Sequence, residues 1–179
     1  MKKSADEDTI SMKHKARVSR KATRSQADQD ASQDTGRTKQ ELYLSVPGEP
    51  VGQPRHRVST IGGRARMYLP TKHPVNAYKA AIRAAFVGAA GKWRTIEGPV
   101  HVGIHAWFGI PASWSKKKRA AHVGQYHTQK PDADNVEKTV LDALTDCEVW
   151  VDDAQVASCQ VIKRWGAQGP QTLIEIVEL

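Results

Sequence analysis

Cysteine is almost missing from this chain: 179 residues carry only Cys147 and Cys159. Two thiols provide neither a disulfide framework nor the ligand spacing of a zinc site. They read as reduced thiols of a cytosolic protein. Aromatic residues are also scarce, at 6%. The tryptophans among them, Trp93, Trp107, Trp114, Trp150 and Trp165, rank as core or interface residues before base-stacking platforms. No run approaches the roughly 18 apolar residues of a membrane span. The opening Met-Lys-Lys-Ser-Ala-Asp-Glu-Asp has basic residues without an apolar region behind them, so it does not read as a signal peptide. A cytoplasmic protein with no membrane contact is the expectation.

Large apolar side chains are fewest in residues 1–40, which hold little beyond Ile10, two methionines and Val18. Such a segment cannot bury enough surface to offset its ordering entropy, so it reads as a disordered basic tail. Its Lys13–Arg24 stretch could touch DNA, but a solvated tail is the simpler reading. Residues 41–179 suffice for one compact core. The charge is more telling, with 27 Lys and Arg against 19 Asp and Glu and a net +8. Half of that excess lies in residues 1–40 and half in the remainder. A basic balance suits a polyanionic partner, because neutralising phosphates releases counterions.

Beyond residue 40 the pattern is that of mixed elements. Leu42, Leu44 and Val46 alternate as in a half-buried strand, and Pro47-Gly48-Glu49-Pro50 breaks it. Ile61-Gly62-Gly63-Arg64 reads as a hairpin turn, with Met67-Tyr68-Leu69 in the return strand. From Pro74 to about Ala90, Val75, Tyr78, Ile82, Ala85 and Phe86 recur at helical spacing, with Gly88 and Gly91 ending the run. Val100, Val102 and Ile104 begin a strand that continues through Trp107-Phe108. Pro111 to Ser115 opens a short helix carrying Lys116, Lys117, Lys118 and Arg119. A second helix follows Pro131-Asp-Ala-Asp-Asn, with Val136, Val140, Leu141 and Leu144 on its apolar side. Asp152-Asp153 sits between two β-like runs, Val149–Val151 and Val156–Trp165, and Leu173–Val177 is a last strand. This order predicts an α+β (mixed α/β) domain, a small sheet flanked by helices, spanning residues 41–179.

Carboxylates flank the second helix: Asp132 and Asp134 before it, Asp152 and Asp153 after it. In extended backbone, residues two apart share a face. A chain returning along a helix of about ten residues, ~15 Å long, would bring Asp153 beside Asp132 and Asp134. Acids so gathered repel one another unless a hard cation neutralises them. Mg²⁺ takes oxygen ligands and binds phosphate oxygens, and such a site can promote phosphodiester hydrolysis. Lys138 lies about one helical turn beyond Asp134, placed to meet developing phosphate charge. Plainer roles exist for each: Asp134 suits a helix N-cap, Asp152-Asp153 a turn, and Lys138 a surface ion pair with a cap aspartate.

The run Lys-Pro-Asp-Ala-Asp-Asn-Val-Glu-Lys-Thr-Val-Leu-Asp-Ala-Leu, followed by Val149-Trp-Val-Asp-Asp-Ala-Gln-Val156, resembles the RusA family of Holliday-junction resolvases. That family's pattern runs Pro-Asp-x-Asp-Asn, Lys, Asp-Ala-Leu, then Asp-Asp-x-Gln-Val at a matching distance. Gly48-Glu-Pro-Val-Gly-Gln-Pro-Arg-His-Arg is similar, more weakly, to the basic strand and loop of phage-type members. The resemblance covers about residues 42–179 and leaves the tail outside. It implies a Mg²⁺- or Mn²⁺-dependent homodimer that nicks branched DNA, with no small-molecule cofactor. Asp132, Asp134 and Asp153 would be the essential metal acids, Asp152 a supporting carboxylate, and Lys138 the functional lysine.

The cationic residues expected to meet DNA are Arg55, Arg57, Lys72, Lys116, Lys117, Lys118, Arg119, Lys130 and Lys163. For each, a solvated surface charge is the plain alternative. His101 and His105 share one side of a strand without a third ligand nearby, so they read as sheet-surface histidines. The rival function is a catalytically inert nucleic-acid-binding module whose aspartates only cap and turn.

Overall fold

Val100, Val102, Ile104, Ala106 and Phe108 alternate along one strand, and all five are buried. That strand is the centre of the molecule. The computed structural model describes residues 38–54, 57–61, 64–68 and 72–179, the 57–68 strands by their backbone alone. The segment read as a tail therefore lies, up to residue 37, outside the described residues, as do Arg55 and the Gly62-Gly63 turn.

The elements run β1 (Glu41–Pro47), β2 (Arg57–Ile61), β3 (Arg64–Tyr68), α1 (Pro74–Ala90), β4 (Val100–Phe108), α2 (Lys116–His122), α3 (Ala133–Thr145), a 3-10 turn (Asp153–Gln155), β5 (Val156–Trp165) and β6 (Gln171–Glu178). A four-stranded sheet has the order β1-β6-β4-β5, and β2 and β3 form a separate hairpin. β4 pairs parallel with β5 and antiparallel with β6. This is the expected α+β domain.

The helices cover one face of the sheet. Tyr78, Ile82 and Phe86 of α1 and Val136, Val140, Ala143 and Leu144 of α3 join Leu44, Val46, Ile174 and Ile176 in one core. A hydrogen bond of 2.6 Å between the Tyr78 hydroxyl and Thr172 Oγ1 crosses that core and satisfies both buried groups. Lys79 and Asp142, 2.8 Å apart, tie α1 to α3 at its margin. The opposite face keeps a large part of Tyr43 and Leu173 exposed. No helix among the described residues is long and apolar enough to cross a membrane.

Three local expectations change. Gly88 does not end α1, which runs through it to Ala90 and stops at Gly91 with φ of 51°. Helical packing overrides the weak propensity of one glycine. Helix α3 starts at Ala133, so Asp134 and Asn135 lie inside it. Val149–Val151 forms no strand; its one ladder contact is the bridge from Trp150 to Ile96.

One close approach positions the start of α3. The Gln53 N–H donates to the Asn135 carbonyl at 2.8 Å. A Cβ on Gly52 would lie 2.7 Å from Pro131 Cβ and 3.0 Å from Asn135 Cβ. Only glycine lets the 51–54 segment lie against this turn. Gly52→Ala is therefore expected to cost about 1–3 kcal/mol through overpacking. Urea unfolding measures it, and an unchanged midpoint would show that the turn yields freely.

Candidate functional site

The residues around the start of α3 set the chemistry. Asp132 occupies the N-cap position with extended backbone, yet its side chain makes no capping hydrogen bond. Asp134 lies in the first turn, and its Oδ1 receives the Asn135 amide at 3.3 Å. Both carboxylates are exposed. The first turn of a helix favours negative charge, because its free N–H groups form the positive end of the macrodipole. Two acids at such a terminus that leave its N–H groups uncapped are available to an external cation. Neither fills the capping role that Asp134 suited in sequence.

Strand β5 returns antiparallel along α3, as three contacts along the pair record. Near the start of α3, the Lys163 ammonium donates to the Gln129 carbonyl at 2.8 Å and to that of Pro131 at 2.5 Å. Burial pulls the Lys163 pKa down, and the nearby Asp132 charge opposes that shift. In mid-helix, Glu137 faces Cys159, whose thiol is pushed up to about 12 by burial and by that carboxylate. Cys159 is thus a protonated thiol, neither nucleophile nor ligand. At the far end, Thr145 Oγ1 lies 2.7 Å from Asp153 Oδ1, so Asp153 stays beside the C-terminus of α3.

Within one chain the described residues do not bring Asp132, Asp134 and Asp153 together. Helix α3 has 13 residues, so Asp153 sits about 20 Å from Asp132, against metal–oxygen distances of about 2.1 Å for Mg²⁺. The returning chain brings Lys163, not Asp153, to the Asp132 end. Among the described residues no three His, Cys, Asp or Glu side chains gather where they could hold a metal, His101 and His105 included. The donor set fits a hard divalent cation: Asp132 and Asp134 are exposed oxygen donors, Asp134 holding only the Asn135 amide, and Mg²⁺ is commonly held by one or two carboxylates with waters and substrate phosphate.

Asp152 serves differently. Its Oδ1 accepts from the Ala154 N–H at 2.7 Å while Gln155 Oε1 accepts from the Asp152 N–H at 2.8 Å, a reciprocal capping box. The Gln155 amide then donates to the carbonyls of Ile96 and Gly98. The Asp152 carboxylate therefore secures the turn that carries Asp153. The spacing Asp152-x-x-Gln155 is itself a capping-box signature, a signal that sequence reasoning passed over. Thr145 had no such signal. It links Asp153 to the buried Trp150, whose indole N–H donates to Thr145 Oγ1 at 3.0 Å.

Lys138 is exposed and lies 4.0 Å from Asp142, so its weak ion pair points forward along α3 and not back to Asp134. The remaining cations are spread over several elements. Lys72 and Lys130 are exposed, as are Lys116, Lys117, Lys118 and Arg119 on α2. The Lys118 ammonium lies 3.8 Å from the centre of the Trp114 ring. The side chain of Arg57 lies outside the described residues. Lys163 spends at least two of its donors on backbone carbonyls, so it holds the 129–131 loop.

Both α2 and the 124–131 loop lie at the C-terminal ends of the parallel strands β4 and β5. Gly124 bonds Trp165, His127 bonds Lys163, and Gly166 bonds Phe108 through the backbone. Ligand sites of open α/β sheets commonly form outside such strand ends. Two open clefts lie here. One, of about 680 Å³, runs from Gln53 to Lys130, Asp132 and Asn135. The other, of about 380 Å³, is bordered by Lys116 and Arg119. Beneath them His127, unnoticed in the sequence, is 6% exposed. It stacks on Phe108 with ring centres 3.9 Å apart, and its Nδ1 has no hydrogen-bond partner. Burial and the neighbouring Lys163 charge hold its pKa below the usual histidine value.

A basic α+β domain with two exposed acids at a helix start carries groups suited to phosphodiester chemistry. The family described as endodeoxyribonuclease RusA matches residues 47–177. The uncharacterized protein YqaN of Bacillus subtilis (strain 168) is 35% identical over 143 residues, covering 77% of this chain and 96% of that protein. The chain belongs to the RusA family of endodeoxyribonucleases. Membership implies an endonuclease of the Holliday-junction-resolving kind.

Two expectations follow from this geometry. Thr145→Val should cost about 1–3 kcal/mol, because it orphans the buried Trp150 N–H. Unfolding curves measure the loss. For His127, a native pKa below the unfolded value near 6.5 means the unfolded chain binds more protons in that window. Its contribution to stability is full above pH 6.5 and is lost as pH falls through the lowered native pKa. Replacement by Phe should remove that part of the acid slope, seen in unfolding curves between pH 7.5 and 5.

Proposed function

We propose that this protein is a divalent-metal-dependent endonuclease that nicks branched DNA as a homodimer, serving recombination and repair in the cytoplasm. The observation that carries the reading is the pair of exposed carboxylates, Asp132 and Asp134, at the start of α3 in a chain of this family. Asp153 of a second copy completes the acid set, since α3 holds each chain's own Asp153 a helix length away. A bound Mg²⁺ or Mn²⁺ would supply charge neutralisation and a more acidic water.

The chain's own residues bind and orient the substrate. Lys116, Lys117 and Arg119 on α2 hold phosphates of an approaching arm, and Lys130 meets the strand beside Asp132. Lys138, exposed on α3 and only weakly engaged by Asp142, faces the phosphate that reacts. Arg55, Arg57 and Lys72 add further positive charge for the same substrate. The span matched by the family, residues 47–177, includes these acids and Lys138, which favours catalysis over an inert module.

The test is cleavage of a synthetic four-way junction, with linear duplex as control, with and without Mg²⁺ or Mn²⁺. Paired nicks near the branch point are expected only with metal. Asp134→Asn should reduce them at least about a hundredfold, a loss that even outer-shell changes can reach. Mixing Asp134→Asn with Asp153→Asn subunits then decides how the acids are shared. If the set spans two copies, the mixed dimer keeps one intact site and single nicks return. If each chain holds its own set, the mixture stays inactive. Binding of the junction without cleavage in either metal would establish the inert module.

A further inference from the structure

The larger cleft has an acid of the proposed metal pair, Asp132, in its wall. Its volume of about 680 Å³ lies within the ~300–1,000 Å³ of pockets that enclose small molecules. The lining is mixed, with the charged Lys130 and Asp132 beside apolar and amide groups. Val51, Pro54, Pro74 and Pro131 give flat apolar walls that suit the face of a base better than a phosphate. Gln53, which also lines the cleft, has an Oε1 shielded from solvent with no hydrogen-bond partner among the described residues. Buried acceptors are nearly always paired, so this side chain gains a partner by turning its oxygen toward a donor in the cleft.

The chemistry of DNA narrows the donor. The deoxyribose-phosphate backbone carries no N–H or O–H along a continuous strand, whereas every unpaired base offers an N–H edge. We propose that this cleft receives one unpaired nucleobase next to the scissile phosphate, with Gln53 Oε1 accepting from its N–H edge. The inference rests on the nuclease reading above and adds a specificity device to it. A base within a continuous duplex reaches such a cleft only by being extruded at the expense of pairing and stacking. A base at a branch point has already lost part of both. Gln53 therefore favours branched over linear DNA at the step where the strand enters the site. Its position is held independently of its side chain, through the N–H bond to Asn135 and the contact of Gly52 on Pro131.

The test combines abasic substitutions in the junction with Gln53→Leu. A single abasic nucleotide at one fixed position flanking the nick should lower kcat/KM about tenfold or more, the worth of one enclosed base. Gln53→Leu should lower it about threefold to tenfold on the intact junction, with no further loss on that abasic junction. Wild-type cleavage indifferent to abasic nucleotides at every branch-point position overturns the proposal, as do losses that multiply when combined. Junction affinity without metal, across the same series, decides the matter separately from catalysis. If affinity follows the abasic pattern but no metal supports cleavage, the base cleft stands and the nuclease reading falls.

Discussion

Helix α3 is a hydrogen-bonded rod whose length nothing around it can change, and the placement of every acid follows from it. The rod is held by Lys163 near its N-terminus, by Cys159 against Glu137 in its middle, and by Asp153 against Thr145 at its C-terminus. Buried Val136, Val140, Ala143 and Leu144 lock the same face into the core. A helix so fixed cannot bend its ends together, and interior close packing resists partial shifts. The separation of Asp153 from Asp132 is thus a property of the fold and not of a side-chain rotamer.

The same rigidity makes the α3 N-terminus a precise platform. Three segments distant in sequence meet at Pro131–Asn135 and the loop that leads into it: Gly52-Gln53 through a backbone bond, Lys163 through the Gln129 and Pro131 carbonyls, and Pro74 across the cleft. Each contact uses a group that cannot be exchanged freely. Glycine is needed for close approach, a multi-donor ammonium to tie two carbonyls, and prolines for walls of fixed shape. Pro54 and Pro74, which bracket the β2–β3 hairpin in sequence, border the same cleft as Asp132.

Much of this was legible in the sequence, for identifiable reasons. Alternation in β4 and the helical spacing of Val75, Tyr78, Ile82 and Phe86 report burial on one face, which is a local signal. The acids of α3 and the Asp152-Asp153 pair were legible through residue order and a family pattern. What stayed hidden depended on direction in space. Spacing allowed Asp153 to return beside Asp132, but the turn that follows α3 is fastened at Ile96 and Gly98 by Gln155, two carbonyls from a distant segment. His127 and Thr145 were hidden for a similar reason, because their partners Phe108, Trp165 and Trp150 become neighbours only after folding.

The separation of the acids also bears on how such a protein survives without metal. Three carboxylates at metal-binding distance would each raise the pKa of the others and oppose folding until a cation arrived. At about 20 Å, more than two Debye lengths at physiological ionic strength, Asp153 barely feels Asp132 and Asp134. The repulsion that Asp153 would add to the Asp132 and Asp134 pair is then met only where a second copy brings its own Asp153 across, as proposed above. On the proposed arrangement, assembly and cation binding then reinforce each other: the partner's acid raises affinity for the ion, and the ion removes the repulsion that opposes the partner. By linkage the two effects have equal magnitude. A subunit alone would then be a poor nuclease by construction, and two sites built from the same pair of chains would suit a substrate that must be cut on two strands.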